Sequence, residues 1–506
     1  LQIQGAPVID VRQFGAKGDG ITDDSAAVQA AVNEAQLRGG GYVFFPHGKT
    51  FVINTNVDIT ASNIYILGYG ATVSKLSGSS FIFTFGRGVL GETIEHNGVF
   101  GLTLVGHRTS VPCGGILTRG ASPAVEGTDQ QVNSMILRDL TLSGFSQYGI
   151  SLTARMNDLV VENVNIKNFG STETMTIGIG FVLFPRDTTY NIHISNLRSS
   201  LDAATNITNS SAIKLQVAGG LIAKGIHAVG GTESCMVVTV HASHLSNIIL
   251  ESVTKSNGLV IGKSHSPGVV ASEPEDLHLS VDNVLVSGNF LSGLVFGGPE
   301  TTTRQIRLSN FDMGSNRVIA SQGGSAVSQN VVEDSEFTAF RWSDSGWRTT
   351  TYTNAVFNNC VFNGFNGDTA SGGILLSLSG DNNLISSSNI SSLALYGNNN
   401  VVSNTTARGN TAATTNSFNL YGDDNILYNC KSFAPGNRHI YVNAAASNTT
   451  FINFSYADES LLISENGFNT IVNGVTLSPG IDTPTPDVKN VRVFRAQDVA
   501  STTWTD

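Results

Sequence analysis

Short apolar runs that recur along most of this chain constrain its fold more than any other feature. From Met135 onward the segments MILRDLTLSG, DLVVENVNIKN, NIHISNLRS, SNIILESVTKSNG, DLHLSVDNVLVSGN, RQIRLSNFDMGSN, NAVFNNCVFNG, NNLISSSNI and NTTFINFSY succeed one another, most of them closed by Asn, Ser or Gly. Many consecutive starts lie roughly 20–30 residues apart, the period of a solenoid coil with variable loops. Within each run apolar and polar residues alternate, the pattern of a strand with one buried face. A second apolar run after a Gly or Ser, as in GISL, GIGFVLF, SAIKL, GLVIG and GLVFG, gives each coil two or three strands. One such unit cannot bury its apolar face alone, whereas a stack of them buries a continuous core. Beyond residue 40 long windows of 3.6-residue periodicity are absent, and the abundant Gly, Asn, Ser and Thr suit tight corners and stacked side-chain ladders. A β-propeller is the competing repeat architecture, but its blades are longer and carry four strands each.

The N-terminal stretch from Asp10 to Ile53 reads differently. Ile9, Val11 and Phe14 predict a short strand, and Gly15, Gly18 and Gly20 a turn. A helix follows, with Asp23 or Asp24 as its cap and Val28, Val32 and Ala35 on one face. Gly39, Gly40 and Gly41 stop it. Tyr42 to Phe45 and Phe51 to Ile53 are extended, separated by a turn at Pro46 and Gly48.

This strand, turn, helix, strand, turn, strand segment resembles the N-terminal signature of the pectate-lyase-like superfamily. The resemblance implies an all-β, right-handed, single-stranded parallel β-helix, with a short helical cap at its N-terminal end and a small C-terminal cap or trimerisation segment. The corresponding divisions are 1–60 for the cap, 61–477 for the β-helix with inserted loops, and 478–506 for the C-terminal segment. The superfamily includes bacteriophage tailspikes that cut capsular or lipopolysaccharide chains, alginate epimerases, and secreted polysaccharide lyases and hydrolases. Similarity to tailspikes implies a homotrimer and a place on the extracellular virion tail, or secretion if the chain is not phage-encoded.

Composition narrows the setting. A 506-residue chain can remain one long domain if it is a solenoid, because such a fold grows along one axis. The net charge of −11 weighs against a nucleic-acid partner. No apolar run reaches the roughly 18 residues of a membrane span. Cys113, Cys235, Cys360 and Cys430 are far apart, which favours buried free thiols over a disulfide frame. After Pro479, Pro484 and Pro486 the repeat breaks, and the tail with Val491, Val493 and Phe494 is read as an end cap or a subunit contact.

Function has to come from a site rather than from the fold. Three insertions, His107 to Gln131, Lys263 to Glu275 and Ala339 to Tyr352, are candidates for groove walls. The third carries Arg341, Trp342, Trp347 and Arg348, flat faces and donors suited to sugar rings and carboxylates. Alginate epimerases of the superfamily carry a Tyr-Gly-Phe-Asp-Pro-His motif. The similar place here reads Tyr148-Gly149-Ile150-Ser151-Leu152-Thr153, so the acidic and histidine positions are replaced and that site is not carried over. The strand following each Gly is expected to expose Arg155, Arg186, Asp187, Lys214, Gln216, His241, His244, Lys263 and His265 along a groove.

Such cations and imidazoles suit β-elimination at a uronic acid, where a positive group neutralises the carboxylate and a base removes the C5 proton. Lys214 and His241 are the favoured pair, Arg186 or Lys263 holds the carboxylate, and Arg155 and His265 are further binding residues. Glycoside hydrolysis instead needs two carboxylates, and Asp187, Asp202, Glu233, Glu251, Asp276 and Asp282 supply candidates, with Asp202 and Glu233, or Glu251 and Asp276, as neighbours one coil apart. The leading expectation is a phage tailspike-like depolymerase of a bacterial capsule or O-antigen, with lyase chemistry ahead of hydrolysis. A non-catalytic glycan-binding adhesin and a free bacterial enzyme acting on pectin- or alginate-like polymers are the alternatives. No motif requires a cofactor or metal; Ca²⁺ is compatible with some polysaccharide lyases, but no carboxylate cluster calls for it.

Overall fold

The computed structural model describes residues 6–120, 130–173, 175–184, 190–201, 207–217, 219–240, 242–253, 256–262, 279–288, 292–297 and 306–312, and from 318 to 483 chiefly the strands and corners named below. The chain divides into two units, Leu1–Gly297 and Gly298–Asp506.

The first unit opens with β1 (Val8–Asp10). The strand expected to reach Phe14 instead gives way to a single 3₁₀ turn, Val11–Phe14. The Asp10 carboxylate accepts the Arg12 N–H at 2.9 Å and Gly15 adopts φ 97°, so the chain curls as soon as it passes Asp10. Part of the expected glycine turn is also a strand, β2 (Asp19–Asp23), which pairs in parallel with β4 (Thr50–Val52). Between them lie α1 (Ser25–Leu37) and β3 (Gly41–Phe44). The two aspartates divide the work at the helix start. Asp23 accepts the Ser25 N–H at 3.0 Å, while Asp24 turns back to the N–H groups of Lys17 and Gly18 and fixes the glycine loop. Val28, Ala31, Val32 and Ala35 are fully buried, so α1 covers the first coil with its apolar face.

Two sheets then run through the unit. The bent sheet contains Ile136–Ser143, Asn157–Phe169, Tyr190–Leu201, Leu221–Val229, Ser243–Glu251 and Leu279–Ser287, each paired in parallel with the next. Its register stacks Leu137, Val161, Ile194, Ala223, Leu245 and Val281 in one buried row, and Leu140, Val164, Leu197, Ile226, Ile248 and Val284 in another. Between the rows each strand turns at one left-handed residue: Asp139, Asn163, Asn196, Gly225, Asn247 or Asn283, with φ between 53° and 71°. Asn, Asp and Gly tolerate that conformation best. The corner resets the in-out alternation, which lets apolar residues on both sides of it face the core. Its amides also bond along the stack, Asn163 Nδ2 to Asp139 Oδ1 at 3.0 Å and Asn196 Nδ2 to Asn163 Oδ1 at 3.0 Å.

The straight sheet is built from Val57–Ile59, Phe81–Phe85, Gly114–Thr118, Tyr148–Leu152, Met175–Leu183, Ile207–Val217, Ser234–Val240, Asn257–Ile261 and Ser292–Gly297, again all parallel. Ile116, Ile150, Phe181, Ile213, Met236 and Leu259 form its inward row, all at or near complete burial. Successive parallel crossovers of this kind are right-handed, and the fold is a right-handed parallel β-helix.

The second unit repeats the plan with strands of two or three residues, as in Leu384–Ser386, Asn389–Ile390 and Leu393–Leu395, followed one coil later by Val401–Ser403, Thr406–Ala407 and Phe418–Leu420. An interior amide ladder links Asn383 to Asn400 at 2.9 Å and Asn400 to Asn425 at 3.0 Å, and Asn425 donates to the carbonyls of Gly397 and Gly422. These bonds satisfy polar groups that the narrow core would otherwise leave unpaired. The parallel order ends where Val475–Leu477 folds back on Thr470–Val472 and Ile481–Thr483 on Ile463–Glu465, both antiparallel. Such return strands cover exposed edges. The tail with Val491, Val493 and Phe494 lies outside the described residues.

All four cysteines are free and buried. Burial pushes the Cys430 thiol up to about 11 and drives Cys235 upward as well, which keeps both protonated and unreactive. Ellman's reagent is therefore expected to titrate the thiols only after denaturation; fast reaction in the native protein would contradict the burial. Replacing Asn163 with Ala puts a Cβ in the left-handed corner without the amide ladder and should cost about 1–2 kcal/mol in a urea melt, with Asn163→Gly retaining more stability. The Asp19 carboxylate is held down to about 2 by the N–H groups of Thr22 and Ile21 and by the Thr22 hydroxyl. Because the folded value lies below the unfolded one, its contribution is complete above about pH 4 and is lost as pH falls toward 2. An acid titration of Asp19→Asn should lose less stability across that window than the parent protein.

Candidate functional site

The outer face of the straight sheet differs from an ordinary solvated strand surface. Register places Asp58, Thr84, Leu117, Ser151, Val182, Lys214, Val237, Val260 and Val295 in one outward row, alternating with the core residues. From Val182 onward the row is apolar apart from Lys214. Val182, Val237, Val260 and Val295 are each at most 6% exposed, so this face is withdrawn from water although it points away from the core.

Lys214 reaches one coil forward along this row. Its Nζ donates to Glu233 Oε2 at 3.2 Å, with side chains 9% and 28% exposed. Glu233 is held by its own backbone, whose N–H donates to Ser210 O at 3.1 Å and whose carbonyl accepts the Asn257 N–H at 3.2 Å. Ser210 and Thr232 lock the preceding turn, with the Ser210 N–H on Thr232 Oγ1 at 3.0 Å and the Thr232 N–H on Ser210 Oγ at 2.9 Å. Gly231 has φ 137°, and a Cβ there would meet Ser234 O at 2.2 Å, so this turn admits only glycine. An ammonium and a carboxylate positioned this rigidly beside valines interact more strongly than they would in water. The ammonium can neutralise an incoming carboxylate, and the glutamate can exchange its hydrogen bond with a ligand.

This arrangement revises the expected groove. Lys214 is buried rather than exposed. His244 lies on the bent sheet, in register with Ile222 and Ser280, and so does not share the row of Lys214 and Gln216. Arg155 is half-buried and bridges to Gln131, which belongs to a separate two-stranded pairing with Thr93–Glu95. Glu233, expected beside a second carboxylate, is engaged by Lys214, and Glu251 is engaged by His227 at 3.0 Å. Asp282 sits on the bent sheet in register with Ser246. Arg341 belongs to the short strand Phe340–Arg341 of the second unit. Arg186, Asp187, Asp202, His241, Lys263, His265, Asp276, Trp342, Trp347 and Arg348 lie outside the described residues. The Lys214–Glu233, His227–Glu251 and Arg138–Glu162 pairs had gone unnoticed in the sequence. Their separations of about one coil were the available signal.

The positions that replace the epimerase motif are structural. Ser151 is 4% exposed, Thr153 Oγ1 donates to Thr118 O at 2.7 Å, and the Tyr148 ring stacks on Phe81 with centroids 6.1 Å apart. Among the described residues, no three His, Cys, Asp or Glu side chains come together to hold a metal ion.

Residues 8–103 match the family described as rhamnogalacturonase A/epimerase, pectate lyase-like. The strand pairing above makes the chain a right-handed parallel β-helix, and its N-terminal region is similar to that pectate-lyase-like family. Mannuronan C5-epimerase AlgE5 of Azotobacter vinelandii is 32% identical over 173 residues, which is 32% of this chain and 17% of that protein. Alginate lyase 7 of the same organism is 32% identical over 167 residues, 30% of this chain and 19% of that protein. A capsule KN3-specific depolymerase of Klebsiella phage KN3-1 is 27% identical over 165 residues, 31% and 17% of the two chains. The matched region thus spans less than a fifth of each of these relatives. Among solved structures, the A-module of Azotobacter vinelandii mannuronan C-5 epimerase AlgE6 aligns with 89% of this chain and 99% of its own at 16% identity and TM-score 0.39. A tailspike mutant of E. coli bacteriophage HK620, in complex with a hexasaccharide, aligns with 92% and 78% at 12% identity and TM-score 0.44.

A double-mutant cycle on Lys214→Met and Glu233→Gln measures the pair. A coupling of about 1–3 kcal/mol is expected for so shielded a contact, and a value near zero would mean that the two side chains do not interact in solution.

Proposed function

We propose that this chain is a tailspike-like depolymerase that cleaves a bacterial capsule or O-antigen by β-elimination at a uronic acid residue. The observation that carries this reading is the Lys214–Glu233 pair, with Lys214 flanked along its outer row by Val182, Val237, Val260 and Val295. Elimination requires loss of the proton at C5, and the cost of the resulting carbanion falls when the adjacent carboxylate is neutralised. Lys214 supplies that positive charge. As the substrate carboxylate takes up one of its N–H groups, Glu233 keeps the ammonium oriented. His241, which directly follows the strand Ser234–Val240, accepts the C5 proton; as the C4–C5 double bond forms, the C4–O bond breaks and the departing oxygen takes up a proton from the imidazolium so formed, while Arg186 or Lys263 adds a second contact to the carboxylate. The relatives named for C5 epimerisation of mannuronan and for alginate cleavage support a polyuronate substrate, and the phage capsule depolymerase supports a bacterial surface polymer.

Hydrolysis is the second reading, with Glu233 as one carboxylate and Asp187 or Asp202 as the other. In either case the protein acts outside the cell, on a virion tail or after secretion, as a homotrimer whose Arg155, His265, Arg341, Trp342, Trp347 and Arg348 contribute sugar contacts. No motif calls for a cofactor, Ca²⁺ remains compatible with the reading, and no step is routed through a cation.

Incubation with purified capsular and O-antigen polysaccharides tests the proposal. Ultraviolet absorbance from a new carbon–carbon double bond is the expected result. New reducing ends without that absorbance mean hydrolysis, and neither signal means a binding protein. Lys214→Ala should lower kcat by about 10²-fold or more with the fold intact, whereas full activity in this variant would remove Lys214 from the mechanism.

A further inference from the structure

In the second unit three tyrosines gather on the outer face of one sheet. Leu393–Leu395, Phe418–Leu420 and Ile440–Val442 stack in parallel, with Leu395, Leu420 and Val442 in register and fully buried. Tyr396 and Tyr421, the residues just past the first two strands, therefore point outward. Their rings stack with centroids 4.3 Å apart and planes within 5°, and Tyr441 closes on Tyr421 at 5.8 Å. Burial, with Tyr396 and Tyr441 alongside, pushes the Tyr421 hydroxyl up to about 12, so the stack is uncharged near neutral pH. Among the described residues Tyr396 ends the stack, and it is 41% exposed. With Tyr421 against one face, what it offers to water is the opposite face and the edges.

The turn after each tyrosine is fixed. A Cβ on Gly397 would meet Gly380 O at 2.0 Å, and one on Gly422 would meet Gly397 O at 2.2 Å, so both positions require glycine. Successive turns are tied to one another: the Asn398 N–H donates to Asp381 Oδ1 at 2.6 Å, the Asp423 N–H to Asn398 Oδ1 at 2.7 Å, and the Ser447 N–H to Asp423 Oδ1 at 2.7 Å. Asp381 thus sits one coil before Tyr396, on the side of its open face. Among the described residues its Oδ2 accepts no hydrogen bond. The charged residues of these turns are Asp381, Asp423 and Asp424, all acidic.

We propose that Tyr396 and Asp381 form a subsite for a neutral pyranose, with the C–H face of the sugar on the open face of the ring and a sugar hydroxyl donating to Asp381. A pyranose offers both an apolar face and hydroxyl donors, which a flat ring beside a carboxylate oxygen matches. A uronate does not fit, because its carboxylate would meet acidic turns with no neighbouring cation among them. The inference rests on the polysaccharide reading above and adds a sugar class to it: the polymer carries a neutral sugar besides the uronate on which Lys214 acts.

Affinity electrophoresis through gels holding dextran, galactomannan, a rhamnan or polymannuronate provides the test, with urea melts to check the fold. At least one of the three neutral polymers should retard the parent protein. Tyr396→Ala should weaken that retardation about fivefold or more, and Tyr396→Phe, which keeps the ring, should preserve it. Asp381→Asn leaves the ring in place and keeps an acceptor for Asn398, and should weaken retardation about threefold through loss of the charge-assisted bond. Retardation by polymannuronate should be the same in all four proteins. The proposal is overturned if no neutral polymer retards the parent, or if Tyr396→Ala and Asp381→Asn migrate as the parent does. A lower urea midpoint in Tyr396→Ala with parental retardation overturns it too, since the stack would then serve the fold alone. Absence of an elimination product counts instead against the reaction assigned to Lys214, and the retardation comparison is read independently of it.

Discussion

Parallel pairing in constant register, coil upon coil, is the constraint on which the rest of this structure depends. A β-strand alternates its side chains strictly, and a polypeptide that must turn while keeping apolar residues inward has to break that alternation once per turn. Here the break is a single left-handed residue. Asp139, Asn163, Asn196, Gly225, Asn247 and Asn283 take that conformation in successive coils, and the amides of Asn163, Asn196 and Asn283 donate to the side chain at the same position one coil earlier. The corner thereby becomes a vertical ladder as well as a bend. Because every coil is aligned at this corner, each outer row is aligned too, and residues far apart in sequence acquire fixed neighbours.

That alignment gives the two faces of the first unit different characters. On the straight sheet the outer row from Val182 onward is apolar and shielded apart from Lys214, which reaches Glu233 beside it. Shielding strengthens the contact between the two opposite charges. On the bent sheet the outer rows are open to water, as at His193, Arg198, Ile222 and Lys224.

The fold was largely legible in the sequence. Periodic runs ending in Asn or Gly, and the helix with Val28, Val32 and Ala35, correspond directly to coils and to the end cap. Local chemistry near the first coil was less so. Asp10 and Gly15 curl a segment that apolar patterning marked as a strand, because one side-chain hydrogen bond outweighs weak local strand preference. The site was legible only in part. Lys214 was singled out by type, but its burial and its partner depend on how many residues each loop inserts between coils, and unequal loops shift which side chains align. His244 shows the consequence: it follows closely on the strand Ser234–Val240, yet it belongs to the other sheet.

The most direct test of the central claim is a crystal structure of Glu233→Gln with a bound oligouronate, in which the sugar can bind without the native carboxylate competing for Lys214. The account predicts a uronate carboxylate within hydrogen-bond reach of Lys214 Nζ, over the valine row of the straight sheet. A well-ordered oligosaccharide bound elsewhere, with Lys214 untouched, would contradict it.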